Sequence, residues 1–256
     1  MIDPHAAIDP GAELDEGVSV GPFSVIGPGV KIAAGTRIGP HVVVRGDTSI
    51  GRDNRIFQFS SIGEDPQDKK YAGEPTRLEI GDRNTIREFV TINRGTVQDG
   101  GVTRIGSDNL LMAYTHVAHD CQVGNHTIMA NAASLGGHVH LQDWVILGGF
   151  TIVHQFCRIG SHSFCAMGSS VSKDVPPYVM VGGHPAKPHG LNSEGLKRRG
   201  FDQAQLSRIK SAYKTLYHSG LRLEEATAML EAGAGENEEM LLFTQFLRAS
   251  ERSVVR

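Results

Sequence analysis

The chain has 256 residues and a formal net charge of −3, which leaves room for one or two domains with a sizeable core and excludes a broad basic footprint for nucleic acid. Glycine is frequent, at 31 residues, and aromatics are scarce, at 6%, a balance that suits short strands joined by tight corners. No apolar run approaches the ~20 residues of a membrane span. The opening Met1-Ile2-Asp3-Pro4-His5 has no basic segment followed by an apolar one, and Cys121, Cys157 and Cys165 form no even disulfide set, so a reduced cytoplasmic protein without a signal peptide is expected.

A six-residue beat starts at once. Ile2, Ile8, Leu14, Val20, Ile26, Ile32, Ile38, Val44, Ile50, Ile56 and Ile62 keep phase. Residues 63–79 interrupt the beat, it returns at Ile80, Ile86 and Ile92, and residues 93–104 interrupt it again. The longest run then goes from Ile105 through Leu111, Val117, Val123, Met129, Leu135, Leu141, Leu147, Val153, Ile159 and Cys165 to Val171. Neither a helix nor a simple alternating strand has a period of six, so the pattern is an internal repeat. Each hexad reads as a short strand plus a corner, and three hexads make one triangular coil. Coils stack as parallel strands about 4.8 Å apart, with the apolar residue of each hexad pointing into a narrow prism. Glycine recurs directly after the apolar position (Gly21, Gly27, Gly39, Gly51, Gly81, Gly106, Gly124, Gly160), where a corner is expected to need its freedom in φ.

The beat ends near Pro176-Pro177-Tyr178, and Gly182-Gly183-His184-Pro185 reads as turn and linker. Behind it the texture is helical: 194–199 with Gly200 as a stop, a capping box at Asp202-Gln203-Ala204-Gln205 opening a helix to about Ser219, then 223–232 and 236–248. The expected organisation is mainly β: a parallel β-helix over residues 1–190, with loop excursions at 63–79 and 93–104, and a small α-helical domain over residues 191–256.

An eighteen-residue coil places distant residues side by side. His119, Gly137 and Gln155 fall in one column, Asp120 lies under His138, and Ala118, Gly136 and His154 form the neighbouring column. With His116 these make one edge carrying four imidazoles. A histidine followed by an aspartate suits a general base held in one tautomer. A glycine one coil above leaves a backbone N–H uncovered for an oxyanion, and base plus oxyanion donor is the minimum for acyl transfer to a hydroxyl. Cys121 and Cys157 share a column two coils apart, roughly 9–10 Å, beyond disulfide reach. Imidazoles on a prism also suit zinc across a subunit boundary, but His116 and His119 on one strand tend to face opposite sides, and no metal is expected.

The segments Gly63-Glu64 with 68–75, Arg94-Gly95-Thr96-Val97-Gln98, 106–112, His116-Val117-Ala118-His119-Asp120, Gly136-Gly137-His138-Val139, His154-Gln155-Phe156, 174–178 and 194–201 resemble the UDP-N-acetylglucosamine O-acyltransferases that open lipid A biosynthesis, over nearly the whole chain. The resemblance implies a left-handed winding and a homotrimer with its sites between neighbouring prisms. It implies an acyl carrier protein as donor and no metal or redox cofactor. His119 becomes the general base, Asp120 its holder and Gly137 N–H the oxyanion donor. His116, His138, His154 and Gln155 line the acyl and sugar pocket. Asp68, Lys70, Asn192, Glu194, Arg198 and Arg199 bind the nucleotide sugar or the acyl donor. Met167 stands where relatives close the acyl groove, several of them with glycine, which implies a chain nearer ten carbons than fourteen. Two positions depart from relatives, Asn93 and Pro185, where histidine is found.

Other readings remain open at this point. Lys69 competes with Lys70 as the functional lysine. Arg198 and Arg199 also complement a helix C-terminus, and the basic residues from Lys187 to Lys214 form either a solvated face or a docking surface for an acidic carrier. The sister N-acyltransferase of the same pathway shares the prism but usually carries an added N-terminal domain, and a catalytically silent scaffold is the alternative of a different class.

Overall fold

The computed structural model describes the whole chain, Met1–Arg256. Most hexads form a two-residue strand, whose first residue faces out and whose second is buried. Three sheets result. The first face has nine strands from Ala7–Ile8 to Ser170–Val171, the second eight from Glu13–Leu14 to Arg158–Ile159, and the third ten from Ser19–Val20 upward. Below the top of the third face, each strand pairs in parallel with the strand three places on, as in His116↔Ser134 and Ser134↔Ile152, so the eighteen-residue register holds above the loops. Every sixth residue from Ile105 to Val171 is buried, which is the core the beat predicts. At the lower end the column opens: Ile2 is exposed, and Ile8 and Leu14 only half-buried.

The glycines after the apolar position do a different job from the one expected. None of the eight has positive φ. The left-handed residue lies two places later, at Phe23, Gly29, His41, Asp53, Arg83, Asp108, His126 and His162. What excludes a side chain at the expected position is the neighbouring coil: a Cβ on Gly21 would stand 2.7 Å from Pro40 N and 2.8 Å from Gly39 C. The same crowding holds at Gly51, Gly81, Gly106, Gly124 and Gly160, whereas a Cβ on Gly39 would meet its nearest atom at 3.0 Å and one on Gly27 at an ordinary 3.4 Å.

Both interruptions leave from the corner between the first and second faces. The first joins Ser61–Glu64 to Arg77–Ile80, and the second joins Thr91–Asn93 to Val102–Ile105. They are shorter than the sequence pattern implied, because flanking residues extend the strands. The stretch read as a linker is a β-hairpin, with Val179–Gly182 antiparallel to Lys187–Leu191 at the top of the third face. Four helices follow: α1 (Ser193–Arg198), α2 (Gln203–His218), α3 (Leu223–Ala234) and α4 (Glu238–Arg248). The capping box forms, with Asp202 Oδ1 accepting from Gln205 N–H and Gln205 Oε1 from Asp202 N–H. Tyr178 docks the helices by donating its hydroxyl to Glu239 O at 3.2 Å. The last residues return to the prism, where Val254 bridges Asp174. No helix is long and apolar enough to cross a membrane.

Candidate active site

The corner between the first and second faces carries His119-Asp120, Gly137-His138 and Gln155-Phe156 on three successive coils. Backbone bonds fix the stack: His138 N–H donates to His119 O, and Phe156 N–H to Gly137 O, each at 3.0 Å. Asp120, His138 and Phe156 take the left-handed corner conformation, which turns Asp120 inward and stacks the His138 ring on Phe156 at 4.3 Å.

His119 Nδ1 lies 2.8 Å from Asp120 Oδ2. The carboxylate therefore holds the proton on Nδ1 and leaves Nε2 as the free base. Burial pushes the Asp120 carboxyl up, but hydrogen bonds from His119 and from the Thr96 hydroxyl and N–H, with His138 close by, outweigh burial and hold it below the usual carboxylate range. The His119 ring lies against Gly137, where a Cβ would stand 2.6 Å from Cε1 and 2.8 Å from Nε2. Only glycine fits. Its N–H finds no acceptor within the chain, so a donor without a partner stands beside a base.

His138 meets His119 edge-on at 5.1 Å; its Nδ1 is 2.8 Å from Asp99 Oδ2 and its Nε2 is 3.9 Å from Asp120 Oδ2. His119, Asp120 and His138 offer three donor atoms within 4.8 Å of one another, the one group in the chain with the spacing to hold a metal ion. His116 sits lower on the first face, with Nδ1 2.7 Å from Thr91 Oγ1, and burial, with His119 beside it, lowers its affinity for a proton. His154 and Gln155 are exposed on the coil above, and Gln155 O accepts from Arg252 at 2.7 Å. A cavity of about 400 Å³ brings Asp68 and Lys70 of the first loop to His138, together with Thr96, Gln98, Asp99 and Phe156, none of which had been given a role.

Two expected groups lie elsewhere. Met167 is 80% exposed on the corner between the third and first faces. Asn192, Glu194, Arg198 and Arg199 lie at α1, beside the corner between the second and third faces. Asn192 accepts from Gly195 N–H and donates to His162 O, and Arg199 lies 5.1 Å over the Trp144 ring and donates to His162 Nδ1 at 3.2 Å. Glu194 and Lys197 pair with each other in solvent, and one chain does not bring this group to His119.

The second loop, read as an excursion, is folded into the site. Thr96 is 1% exposed, and it donates its N–H to Asp120 Oδ1 at 2.8 Å and its hydroxyl to Oδ2 at 2.6 Å. Arg94, also buried, donates to Gly63 O, Asp65 and the Tyr71 hydroxyl, joining this loop to the first. Asn93 donates to Asp65 O at 2.7 Å and anchors the same junction. The three cysteines are buried thiols, with burial pushing Cys121 up to about 12.

Known proteins share this architecture. Residues 174–255 match the family model described as UDP N-acetylglucosamine O-acyltransferase, domain 2, and residues 11–46 match the bacterial transferase hexapeptide repeat. Acyl-[acyl-carrier-protein]–UDP-N-acetylglucosamine O-acyltransferases of Janthinobacterium sp. (strain Marseille) and Thiobacillus denitrificans are each 60% identical, over 100% of this chain and 99% of theirs. The UDP-N-acetylglucosamine acyltransferase of Francisella novicida superposes with a TM-score of 0.98 at 42% identity, covering 100% of this chain and 94% of that one. The Moraxella catarrhalis UDP-N-acetylglucosamine O-acyltransferase gives 0.97 at 45%, covering 100% and 99%. The stacked hexads are thus the left-handed parallel β-helix of the hexapeptide transferases. By sequence over its full length and by fold, the chain belongs to the acyl-[acyl-carrier-protein]–UDP-N-acetylglucosamine O-acyltransferase family.

Proposed function

We propose that this chain moves a 3-hydroxyacyl group from acyl carrier protein to the glucosamine 3-hydroxyl of UDP-N-acetylglucosamine, the first step of lipid A biosynthesis. The observation that carries the mechanism is the juxtaposition of an oriented imidazole and a partnerless backbone donor, His119 and Gly137. His119 Nε2 takes the proton of the 3-hydroxyl as its oxygen attacks the thioester carbonyl. The tetrahedral oxyanion accepts from Gly137 N–H. Collapse breaks the carbon–sulfur bond, and the departing thiolate takes the proton back from His119. Atoms and protons balance with no metal or redox cofactor, and Asp120 keeps its charge throughout.

The acceptor sugar occupies the cavity lined by Asp68, Lys70 and His138, with His116, His154 and Gln155 along the acyl path. Asn192, Glu194, Arg198 and Arg199 bind the nucleotide from a neighbouring chain. Their position on another corner favours this reading, and so do the exposed apolar residues Tyr114, Phe150, Ile152 and Met167 on and beside the first face. The working unit is a homotrimer with its sites between prisms. Replacing His119 with Ala is expected to lower kcat by ~10²–10⁴-fold while circular dichroism and sedimentation stay those of the native protein. Full activity in that variant would remove the base from the scheme.

A further inference from the structure

The geometry points to Thr96 and Asp99, both on the second loop, as positioning residues for the two imidazoles. This inference rests on the acyl-transfer reading above.

His119 can serve as base only while Asp120 faces its Nδ1, and the Asp120 carboxylate is itself held by Thr96. Both of its oxygens are occupied by that one residue, Oδ1 by the N–H at 2.8 Å and Oδ2 by the hydroxyl at 2.6 Å. Oδ2 is also the atom that faces His119. A carboxylate fixed at both oxygens cannot rotate, so the imidazole it orients cannot either. Three residues further on, at the end of the turn Val97–Asp99, Asp99 reaches the other ring and fixes His138 through Nδ1 at 2.8 Å. A single tight turn, closed by bonds from Asp99 N–H and Gly101 N–H to Thr96 O, thus addresses both histidines.

The turn is anchored well enough to act this way. Gly95 packs so closely that a Cβ would meet Val102 N at 2.2 Å, and its N–H donates to Arg77 O. On the other side the buried Arg94 ties the turn to the first loop, which carries Asp68 and Lys70 into the same cavity. Neither Thr96 nor Asp99 reaches the atom of His119 that takes the proton. They act through Asp120 and His138, and Thr96, 1% exposed behind Asp120, is expected to act on turnover rather than on substrate affinity.

The test is steady-state kinetics on the full-length protein with acyl carrier protein donor and UDP-N-acetylglucosamine, with Thr96→Val, Thr96→Ser, Asp99→Asn and His119→Ala compared. Valine keeps the shape and the N–H of Thr96 and removes the hydroxyl. The expected result for Thr96→Val is a kcat lower by roughly 10–100-fold, a KM for the sugar nucleotide within about twofold, and recovery of most of the rate in Thr96→Ser. Asp99→Asn, on an exposed side chain, is expected to lower kcat several-fold without moving the unfolding midpoint. It keeps the question answerable should Thr96→Val fold poorly. If His119→Ala is inactive while Thr96→Val and Asp99→Asn both turn over like the native protein, the positioning role falls and the base stands. Equal losses in Thr96→Val and Thr96→Ser, accompanied by a falling unfolding midpoint, would mean a structural residue only. An active His119→Ala would remove the base and this inference with it.

Discussion

Met167 is the side chain on which the acyl group's length is expected to depend. It projects from its corner, 80% exposed in one chain, and a chain of methylenes ending against it loses room that glycine would leave open. Each methylene that fits an apolar groove contributes about 0.8 kcal/mol, so a groove shortened by a few carbons discriminates strongly. The native protein is expected to prefer a ten-carbon donor to a fourteen-carbon one, and Met167→Gly to reverse the preference, by roughly tenfold or more in kcat/KM. Competing the two donors in one assay reads this directly, and an unchanged ratio in the variant would make Met167 simple filler. At this scale the sequence is informative where residue chemistry is unusual. His119 beside Asp120 under a glycine is legible from spacing alone. Thr96 and Asp99 are not, because a threonine and an aspartate between glycines look like any solvated turn. Only the folded chain shows that the turn is pulled inward, through the contacts of Arg94 with Gly63 and Tyr71 and of Thr96 with Asp120.

Elements in this protein are set by stacking, and their corners show how much of that reaches the sequence. The period of six gives the strands, the faces and the vertical partners without help from coordinates. It does not distinguish two reasons for a glycine, freedom in φ and the absence of a Cβ. Gly29 has the first, at φ +74° with no neighbour to a Cβ closer than 3.9 Å, and Gly21 the second. Asparagine separates them, since it tolerates the left-handed region but carries a Cβ. Gly29→Asn is expected to cost under ~1 kcal/mol, and Gly21→Asn ~1–3 kcal/mol, read as unfolding midpoints in denaturant. Buried polar ladders were equally invisible. Asn54, Asn84 and Asn109 each accept from the backbone N–H one coil above, at 2.7–2.9 Å, so these three core amides are satisfied by the repeat itself.

The corner carrying Trp144 and His162 has its own acid sensitivity. Burial first, and Arg199 second, push the His162 imidazole down to about 4. A base depressed in the folded state stays neutral there while the unfolded chain takes up a proton below about 6.5. Stability tied to this residue is therefore complete above that pH and declines as pH falls toward 4, by the order of 2 kcal/mol. His162→Asn removes the titration, so its unfolding midpoint should fall less steeply with acid than the native one. Parallel curves would show that the ring is more open to water than its position between Trp144 and Tyr178 implies.

At the scale of the whole molecule, the base and the nucleotide-binding candidates stand on different corners of one prism. His119 belongs to the corner of the first and second faces, Arg199 to that of the second and third. A rigid prism cannot fold one corner onto the other, so a site using both must draw them from two chains. In the closed ring of three proposed above, each chain would offer its His119 to one neighbour and its Arg199 to the other. This makes complementation the decisive measurement. His119→Ala and Arg199→Ala chains, each nearly inactive alone, are co-expressed with different tags and the doubly tagged trimers are isolated. With random assembly from equal amounts, roughly one interface in four in the unfractionated mixture pairs an intact His119 with an intact Arg199. Activity should therefore return to about that fraction of the native rate, and to about a third in the doubly tagged trimers, since a ring of mixed composition holds one such interface in three. Sites contained within single chains would recover nothing in either preparation, because every chain would lack one of the two groups.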